Sequence, residues 1–212
     1  MKKIAVLISG NGTTLQALIE ACTNGKINAK IDCVISNKAD AYGLVRAQLA
    51  SIPTQVFLRK DFADNQAMDH AIADFLEAAK VDLIVLAGYM KILTEPFITR
   101  FAGKIINIHP SLLPKYPGLH TYQKALDNGD KEQGTTVHFV NQDVDAGAII
   151  LQAKVPVFAD DTVVEIEQRV KEQEVQIYPL VVQWFVDGRL HLVNDKAELD
   201  GKILPPQGYE SE

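Results

Sequence analysis

Apolar segments of strand length alternate with amphipathic segments along the first half of this chain, and this alternation restricts the folds available to it. Apolar strands that alternate with amphipathic helices pack as a parallel sheet covered by helices on both faces. The pattern therefore predicts an α/β fold with a doubly wound, mostly parallel sheet. Strands are predicted at residues 3–9, 31–36, 54–58, 82–87 and 104–109, and helices at residues 14–22, 42–50, 62–79 and 95–101.

The second half of the chain has a different pattern, which predicts a β-hairpin followed by a long helix. Pro179 lies inside that helix, where a proline should kink the helix or split it. The predicted elements are strands at residues 134–140 and 148–157, a helix at 162–185 and a last short strand at 190–193.

Length, composition and charge limit the class of protein. The chain has 212 residues, of which 47% are hydrophobic, so it can build one sizeable core, and its apolar runs are far too short to span a membrane. The net charge of −6 and the lack of a Lys/Arg run argue against broad nucleic-acid or anionic-membrane binding. Cys22 and Cys33 lack the spacing of a zinc site or a disulfide scaffold, which fits a reducing cytoplasm.

Two polar side chains end the strand that is predicted at residues 104–109. Asn107 and His109 alternate with isoleucines, so both lie on the same face of the strand. In open α/β sheets, ligands bind at the carboxyl ends of the strands. An amide beside an imidazole can stabilise a developing oxyanion and move a proton. Either group alone could simply bond to loop backbone, but two on one face favour a catalytic role.

The turn predicted at residues 141–147 contains two aspartates, Asp143 and Asp145. Aspartates in such turns are by default solvated turn formers. The functional alternative is that one of them folds back against His109, where a carboxylate would stabilise the protonated imidazole and fix its orientation. Asp145 is the better candidate, because the small residue and the glycine that follow it admit close approach.

A carboxylate interrupts the apolar stripe of the predicted long helix. Glu174 stands between Val170 and Ile177, at a position where the stripe faces the core. A carboxylate there is costly unless a partner compensates it. Either the helix rotates enough for Glu174 to reach solvent, or the side chain contacts a ligand, for which a substrate amine is the natural partner.

The first predicted strand leads into a glycine-rich turn, residues 10–14, and then into a helix. Glycines admit close approach of a ligand to the backbone, and the free N–H groups at a helix start favour a phosphate. A tight turn without a ligand is an equally good interpretation. A dinucleotide site is excluded, because Leu15 replaces the third glycine and residues 36–38 supply no carboxylate for a ribose. Any phosphate bound here is expected to be a monophosphate.

Taken together, these segments resemble the folate-dependent formyltransferases, and within them the glycinamide ribonucleotide branch. The Asn-x-His-Pro-Ser-Leu-Leu-Pro run with a later Asp-x-Gly is typical of folate-dependent formyl transferases and hydrolases, and the Gly-Asn-Gly turn and short chain favour the branch. The resemblance covers nearly the whole chain and rests on residues 8–12, 36–41, 86–90, 107–118, 138–140, 152–157 and 204–209.

The resemblance implies a Rossmann-like formyltransferase fold and a reaction. The amine of glycinamide ribonucleotide would attack the formyl carbon of 10-formyltetrahydrofolate, in purine biosynthesis, without a covalent enzyme adduct. Asn107 and protonated His109 would stabilise the oxyanion of the tetrahedral intermediate. His109 would also move the proton from the amine towards the folate nitrogen, and Asp145 would keep His109 charged and oriented.

The resemblance also implies binding roles. The backbone of Gly12, Thr13 and Thr14 would hold the ribose phosphate, and Glu174 would contact the glycinamide amine or its surroundings. Two segments would line the pterin pocket, largely through backbone groups: Met90, Lys91, Ile92, Leu93, Asn141, Gln142, Asp143 and Val144. No metal, nucleic acid or membrane partner is implied, and the chain is expected to be a cytoplasmic monomer or homodimer.

The expected organisation is one domain over residues 1–212, with a phosphate-binding half (1–103), a catalytic and folate-binding half (104–199) and a C-terminal tail (200–212). The chain departs from the family at one point. Some relatives carry a folate-contacting arginine near the start of the third helix, where this chain has Asn65, and Arg59 or Lys60 would have to replace it.

Three other functions are alternatives to this one. A formyltetrahydrofolate hydrolase usually has an additional N-terminal domain, and a methionyl-tRNA formyltransferase usually has a C-terminal nucleic-acid-binding domain and more positive charge. A non-catalytic folate- or nucleotide-binding module would not need Asn107, His109 and Asp145 together. All three are therefore disfavoured.

Overall fold

Strands and helices alternate through the first half of the chain, as the apolar pattern predicts. The computed structural model describes residues 1–210 and contains two compact units, the first of which is Met1–Asn107. Its elements are β1 (Lys2–Ile8), α1 (Thr13–Thr23), β2 (Ala29–Ser36), α2 (Tyr42–Leu49), β3 (Thr54–Val56), a single 3₁₀ turn (Arg59–Asp61), α3 (Asn65–Ala78), β4 (Leu83–Leu86), α4 (Glu95–Arg100) and the first part of β5 (Ile105–His109).

The strands of this unit pair in parallel. β1 lies between β2 and β4, β3 pairs with β2, and β5 pairs with β4. The chain therefore winds outward in both directions from β1, which confirms the predicted doubly wound fold. Central strands of such a sheet are covered on both faces, and residues 4–8 of β1 are accordingly almost completely buried. The ends of β1, β4 and β5 lie at one edge of the sheet.

The second unit begins at Ile108 and contains the predicted hairpin and long helix. Within this unit β6 and β7 pair as an antiparallel hairpin, whereas β8, β9 and β10 form a small antiparallel sheet. The elements are α5 (Thr121–Asp127), β6 (Glu132–Phe139), β7 (Ile149–Pro156), α6 (Val163–Val186), β8 (Leu190–Val193), β9 (Lys196–Leu199) and β10 (Lys202–Ile203).

Helix α6 is continuous through Pro179, so the expected split is wrong. A proline inside a helix costs roughly 3 kcal/mol or more. The buried residues on both sides of it, Tyr178, Val181 and Val182, are fully enclosed, and their packing offsets that cost. The helix begins with a capping box in which Thr162 accepts from the backbone of Glu165, whose side chain bonds back to Thr162.

Other differences from the prediction are local. Helix α3 begins at Asn65, because the Asp64 side chain caps it by accepting from the backbone of Ala67. The short helix α5 and the strands β9 and β10 were not predicted from the sequence. The boundary between the two units lies within β5, after Asn107, and the single-domain organisation stays a prediction.

The C-terminal tail is partly ordered by pairing. Lys202–Ile203 pairs with β9, and the backbone of Tyr209 donates to the Ile150 carbonyl. Residues 211–212 of the predicted tail lie outside the described residues. Across residues 1–210 there is no helix with both the length and the hydropathy needed to cross a bilayer.

Candidate active site

His109 is held by contacts on both ring nitrogens. It ends β5, is 6% exposed, and its Nε2 lies 2.7 Å from the backbone carbonyl of Tyr116. A carbonyl only accepts hydrogen bonds, so Nε2 carries a proton in this arrangement. The Nδ1 atom lies 3.4 Å from Oδ2 of Asp145. The imidazole is therefore fixed in orientation, with a carboxylate on one side.

Asp145 reaches His109 from the turn between β6 and β7. Its backbone has φ 53°, a left-handed conformation that aspartate tolerates better than most residues. Its Oδ2 also accepts from the backbone N–H of Gly118 at 2.8 Å. A Cβ at Gly147 would overlap the carbonyl of Phe139, so the close return of the turn requires glycine there.

A second histidine faces the same carboxylate. His138 on β6 is 2% exposed, and its Nδ1 donates to the Phe139 carbonyl. Its Nε2 lies 3.9 Å from Oδ1 of Asp145 and has no hydrogen-bond partner among the described residues. Burial lowers the pKa of His138, so this imidazole is neutral at physiological pH. The sequence by itself assigns no role to His138.

Asn107 lies two positions before His109 on β5 and pairs with Leu86 of β4. Its side chain is only partly buried, unlike those of its isoleucine neighbours. Alternation along the strand places it on the same face as His109.

Glu174 of α6 is linked to the same strand through a threonine that the sequence did not single out. The Thr135 hydroxyl lies 3.2 Å from Oε1 of Glu174 and 3.0 Å from the backbone carbonyl of His109. Burial raises the pKa of Glu174 to about 7, although the Thr135 hydrogen bond opposes this shift. Glu174 is therefore poised to change its charge near neutral pH. Thr135 has no sequence signal, since it is one of several polar residues on a strand.

The glycine-rich turn packs against helix α2 and is hydrogen-bonded to it. Gly12 has φ 78°, and a Cβ there would lie 2.7 Å from Cα of Gly43. The Arg46 guanidinium donates to the carbonyl of Asn11 at 2.8 Å and to its side-chain oxygen at 2.9 Å. Thr13 and Thr14 begin α1, whose first N–H groups have no partner within the helix. These contacts are confined to the first unit.

The two segments expected around the pterin lie in different units. After β4, Met90 and Ile92 are 68% and 70% exposed, Leu93 is buried and Lys91 bonds to Asp69. After β6, the four residues of the other segment are all exposed: Asn141, Gln142, Asp143 and Val144.

Asn65, which stands where some relatives have a folate-contacting arginine, also lies in the first unit, together with Arg59, one of its expected replacements. Asn65 begins α3, and Arg59 donates to the carbonyls of Phe62 and Ala63. Arg59 and Asn65 both line an open cavity of about 1070 Å³. The described residues contain no group of three or more His, Cys, Asp or Glu side chains that could hold a metal ion.

A doubly wound sheet with an Asn-x-His pair at the end of β5 fits the class of formyl transferases. The chain belongs to the formyl transferase family, whose family model matches residues 2–182. Among curated proteins it is 67% identical to the phosphoribosylglycinamide formyltransferase of Haemophilus influenzae over 212 residues, all of both chains. It is 53% identical to the enzyme of that name from Escherichia coli over 209 residues, 99% of each chain.

Solved structures agree with this assignment. The phosphoribosylglycinamide formyltransferase of Coxiella burnetii superposes with a TM-score of 0.94 at 45% identity and covers 98% of both chains. The glycinamide ribonucleotide transformylase 1 of Symbiobacterium toebii gives a TM-score of 0.91 at 45% identity, over 94% of both chains. The fold and the family therefore match along essentially the whole chain.

Proposed function

We propose that this chain is a phosphoribosylglycinamide formyltransferase, which transfers the formyl group of 10-formyltetrahydrofolate to the amine of N1-(5-phospho-D-ribosyl)glycinamide in purine biosynthesis. The observation that carries the proposal is the placement of His109 at the end of β5, two residues after Asn107 and 3.4 Å from Asp145. The full-length identity with formyltransferases of that name supports it. Neither a hydrolase nor a binding module is supported by these relatives.

The reaction proceeds by direct attack of the substrate amine. A bond forms between the amine nitrogen and the formyl carbon, and the carbonyl oxygen becomes an oxyanion. The Asn107 amide and an N–H of His109 donate to this oxygen. The bond to the folate nitrogen then breaks as that nitrogen receives the proton released by the amine, with His109 as the carrier.

His109 is prepared for this role by its two contacts. Its Nε2 proton points at the Tyr116 carbonyl. When the formyl oxygen takes the place of this carbonyl, Nε2 donates its proton to the substrate. The Asp145 carboxylate beside Nδ1 balances the positive charge of the imidazolium and prevents the ring from turning. Asp145 therefore acts on the substrate through His109.

The remaining residues bind the two substrates. The backbone of Gly12, Thr13 and Thr14 binds the ribose phosphate at the start of α1, and the Glu174 carboxylate accepts a hydrogen bond from the glycinamide amine. The segments at residues 90–93 and 141–144 bind the pterin. No metal takes part in the proposed mechanism, and the reaction belongs to the cytoplasm, where purine biosynthesis takes place.

The direct test is a spectrophotometric assay with a 10-formylfolate donor, with and without glycinamide ribonucleotide. Deformylation that requires the ribonucleotide, with the formylated product detected by mass, is the expected result. Deformylation at the same rate without an amine would assign a hydrolase instead, and donor binding without turnover would overturn the enzyme assignment.

The variant His109→Ala tests the role of the imidazole within this assay. Turnover should fall by roughly two to four orders of magnitude, which is the usual contribution of a general acid–base group. His191→Ala is the matched control, because His191 is exposed and its Nε2 contacts the Gly188 carbonyl, far along the chain from β5. A loss of less than about threefold in the His109 variant would remove His109 from the mechanism.

A further inference from the structure

A carboxylate that the mechanism does not use lies on the buried face of α3. Asp69 is 1% exposed and is the one charged residue among the five that this helix buries, which are Met68, Asp69, Ile72, Ala73 and Leu76. A buried carboxylate is strongly unfavourable unless opposite charge and hydrogen bonds compensate it. The partners of Asp69 therefore indicate what the carboxylate does.

Both oxygens of Asp69 bond to one short segment, which we call the β4 loop and define as residues 88–94. The Nζ atom of Lys91 lies 2.6 Å from Oδ1, and the backbone N–H of Thr94 donates to Oδ2 at 2.7 Å. The Lys91 side chain is itself only 11% exposed. The ion pair is thus buried, and it connects α3 to residues that follow β4.

The other end of the β4 loop is attached to β1. The backbone N–H of Met90 donates to the hydroxyl of Ser9 at 2.7 Å, and the backbone N–H of Ser9 donates to the Gly88 carbonyl at 3.1 Å. Leu93 is buried. The loop is therefore fixed by Ser9 at its start and by Asp69 at its end.

Between these two anchors the loop presents an apolar surface at the carboxyl edge of the sheet. Met90 and Ile92 remain 68% and 70% exposed although both are large and apolar. Within residues 1–210, no hydrogen bond engages the backbone N–H or carbonyl of Ile92. Exposed apolar side chains beside free backbone donors and acceptors suit a flat heteroaromatic ring with an amide-like edge.

We propose that Asp69 is a positioning residue for the formyl donor, which it controls by holding Lys91 and Thr94 and so fixing the β4 loop in its binding conformation. The inference rests on the proposed function, in which this loop binds the pterin. A buried ion pair contributes little net stability, because desolvation of both charges offsets their attraction. It does impose one geometry, because any other arrangement leaves a buried charge without its partner.

The test compares four variants by steady-state kinetics and by equilibrium binding of a 10-formylfolate analogue, followed by intrinsic fluorescence. Asp69→Asn removes the carboxylate charge but leaves Lys91 in the loop, whereas Lys91→Met removes the ammonium group. The double variant D69N/K91M removes both charges and so leaves no uncompensated ion. It replaces a single variant that folds poorly. Lys91→Arg restores the charge and is the rescue variant.

The expected result is a rise of roughly ten- to a hundredfold in the donor KM and Kd of Asp69→Asn and Lys91→Met, which corresponds to a binding-competent loop that is populated only about 10% to 1% of the time. The KM for glycinamide ribonucleotide should stay within about twofold of wild type, and Lys91→Arg should recover most of the donor affinity. Asp74→Asn is the control, since it breaks an exposed ion pair of the same helix with Arg100.

Two results would overturn the proposal. One is a donor KM and Kd that stay within about twofold of wild type in Asp69→Asn and in D69N/K91M. The other is an equal rise in the KM of both substrates, which would mean general loosening of the protein. If wild-type protein binds the donor but does not turn over, the proposed function fails, and donor binding by the variants still decides the role of Asp69.

Discussion

At the scale of single residues, the site depends on charges that are held close together with little water around them. Asp145 approaches His109 and His138 and is bonded by the backbone of Gly118. Because burial lowers the pKa of His138 and so disfavours its charged form, we expect the Asp145 carboxylate to act through His109. The charge of Asp145, rather than its shape, should therefore determine its effect.

Asp145→Asn tests this dependence on charge. The amide oxygen of asparagine still accepts from Gly118, but the variant no longer balances a charged His109. We expect turnover to fall by roughly one to three orders of magnitude, with the KM of both substrates close to wild type. Steady-state kinetics measure both quantities. Asp195→Asn is the control, because Asp195 also has a positive φ of 61° but lies in the turn between β8 and β9.

A large loss of substrate affinity with normal turnover in Asp145→Asn would show that Asp145 is a binding residue. Equal effects in both variants would instead indicate a general cost of replacing aspartate in a left-handed turn.

Glu174 gives a prediction for stability against pH. Its folded-state pKa of about 7 lies above the ordinary value of 4.5, so between these values the native state binds more protons than the unfolded state. The free energy of unfolding that Glu174 contributes therefore decreases as pH rises from about 4.5 to about 7, and is constant above. Relative to Glu174→Gln, wild type should lose on the order of 1–3 kcal/mol across this window.

Denaturant unfolding of wild type and Glu174→Gln at several pH values measures this difference. Glu172→Gln is the control, because Glu172 is exposed on the same helix. Parallel pH profiles for wild type and Glu174→Gln would contradict the burial of a titrating carboxyl group at this position.

At the scale of elements, the start of α2 shapes the turn that leads into α1. The backbone of Gly43 donates to the Gly10 carbonyl, and Gly12 approaches Gly43 too closely to carry a side chain. A Cβ at Gly43 would overlap the side chain of Ile8 in β1. The glycine-rich turn and the start of α2 therefore meet through glycine backbone. The sequence predicted the turn but contained no sign that α2 holds it.

Gly12→Ala should separate phosphate binding from catalysis. The new Cβ clashes with Gly43, and the left-handed φ of 78° is unfavourable for alanine, so the turn must shift. We expect the KM for glycinamide ribonucleotide to rise roughly tenfold, while kcat at saturation stays near wild type. Kinetics with varied ribonucleotide measure this effect.

Gly25→Ala is the control for Gly12→Ala, because Gly25 has φ 84° but open space around it. The control carries the backbone strain without the collision, so it should lose stability and keep its affinity for the ribonucleotide. An unchanged KM in Gly12→Ala would remove the turn from the phosphate site.

At the scale of the whole molecule, charge limits the partners. The net charge is −6, and apart from Arg46 and Arg59 the arginines pair with carboxylates: Arg100, Arg169 and Arg189 all do so within residues 1–210. Nucleic-acid binding depends on unpaired cations that replace counterions on the phosphates. This charge balance favours local binding of one small phosphorylated substrate over binding of an extended polyanion.

We therefore expect no methionyl-tRNA formylation and a Kd for tRNA weaker than about 10⁻⁴ M at physiological salt, the weak limit of non-specific binding. Fluorescence anisotropy with labelled tRNA measures this, with a known tRNA-binding protein as positive control. A Kd near 10⁻⁶ M or below, or a formylated tRNA product, would contradict the small-molecule assignment.

Much of this protein could be predicted from the sequence, because the features concerned are local. The alternation of apolar and amphipathic segments determines the parallel sheet, and the period of two along β5 places Asn107 and His109 on one face. The limits of such patterns are visible at Pro179, where a strong local helix breaker is overridden by the packing of its neighbours. They are also visible at α5, whose seven residues are too few to show a clear period.

Only the tertiary structure decided which distant residues meet. Sequence favoured Asp145 over Asp143 but could not show that its carboxylate lies against His109. It gave no sign that Thr135 joins Glu174 to β5, or that Asp69 holds Lys91 from another element. These pairs are far apart along the chain, and their contacts depend on how whole elements pack. Local periodicity reports which face of an element is buried, but not which side chain lies opposite.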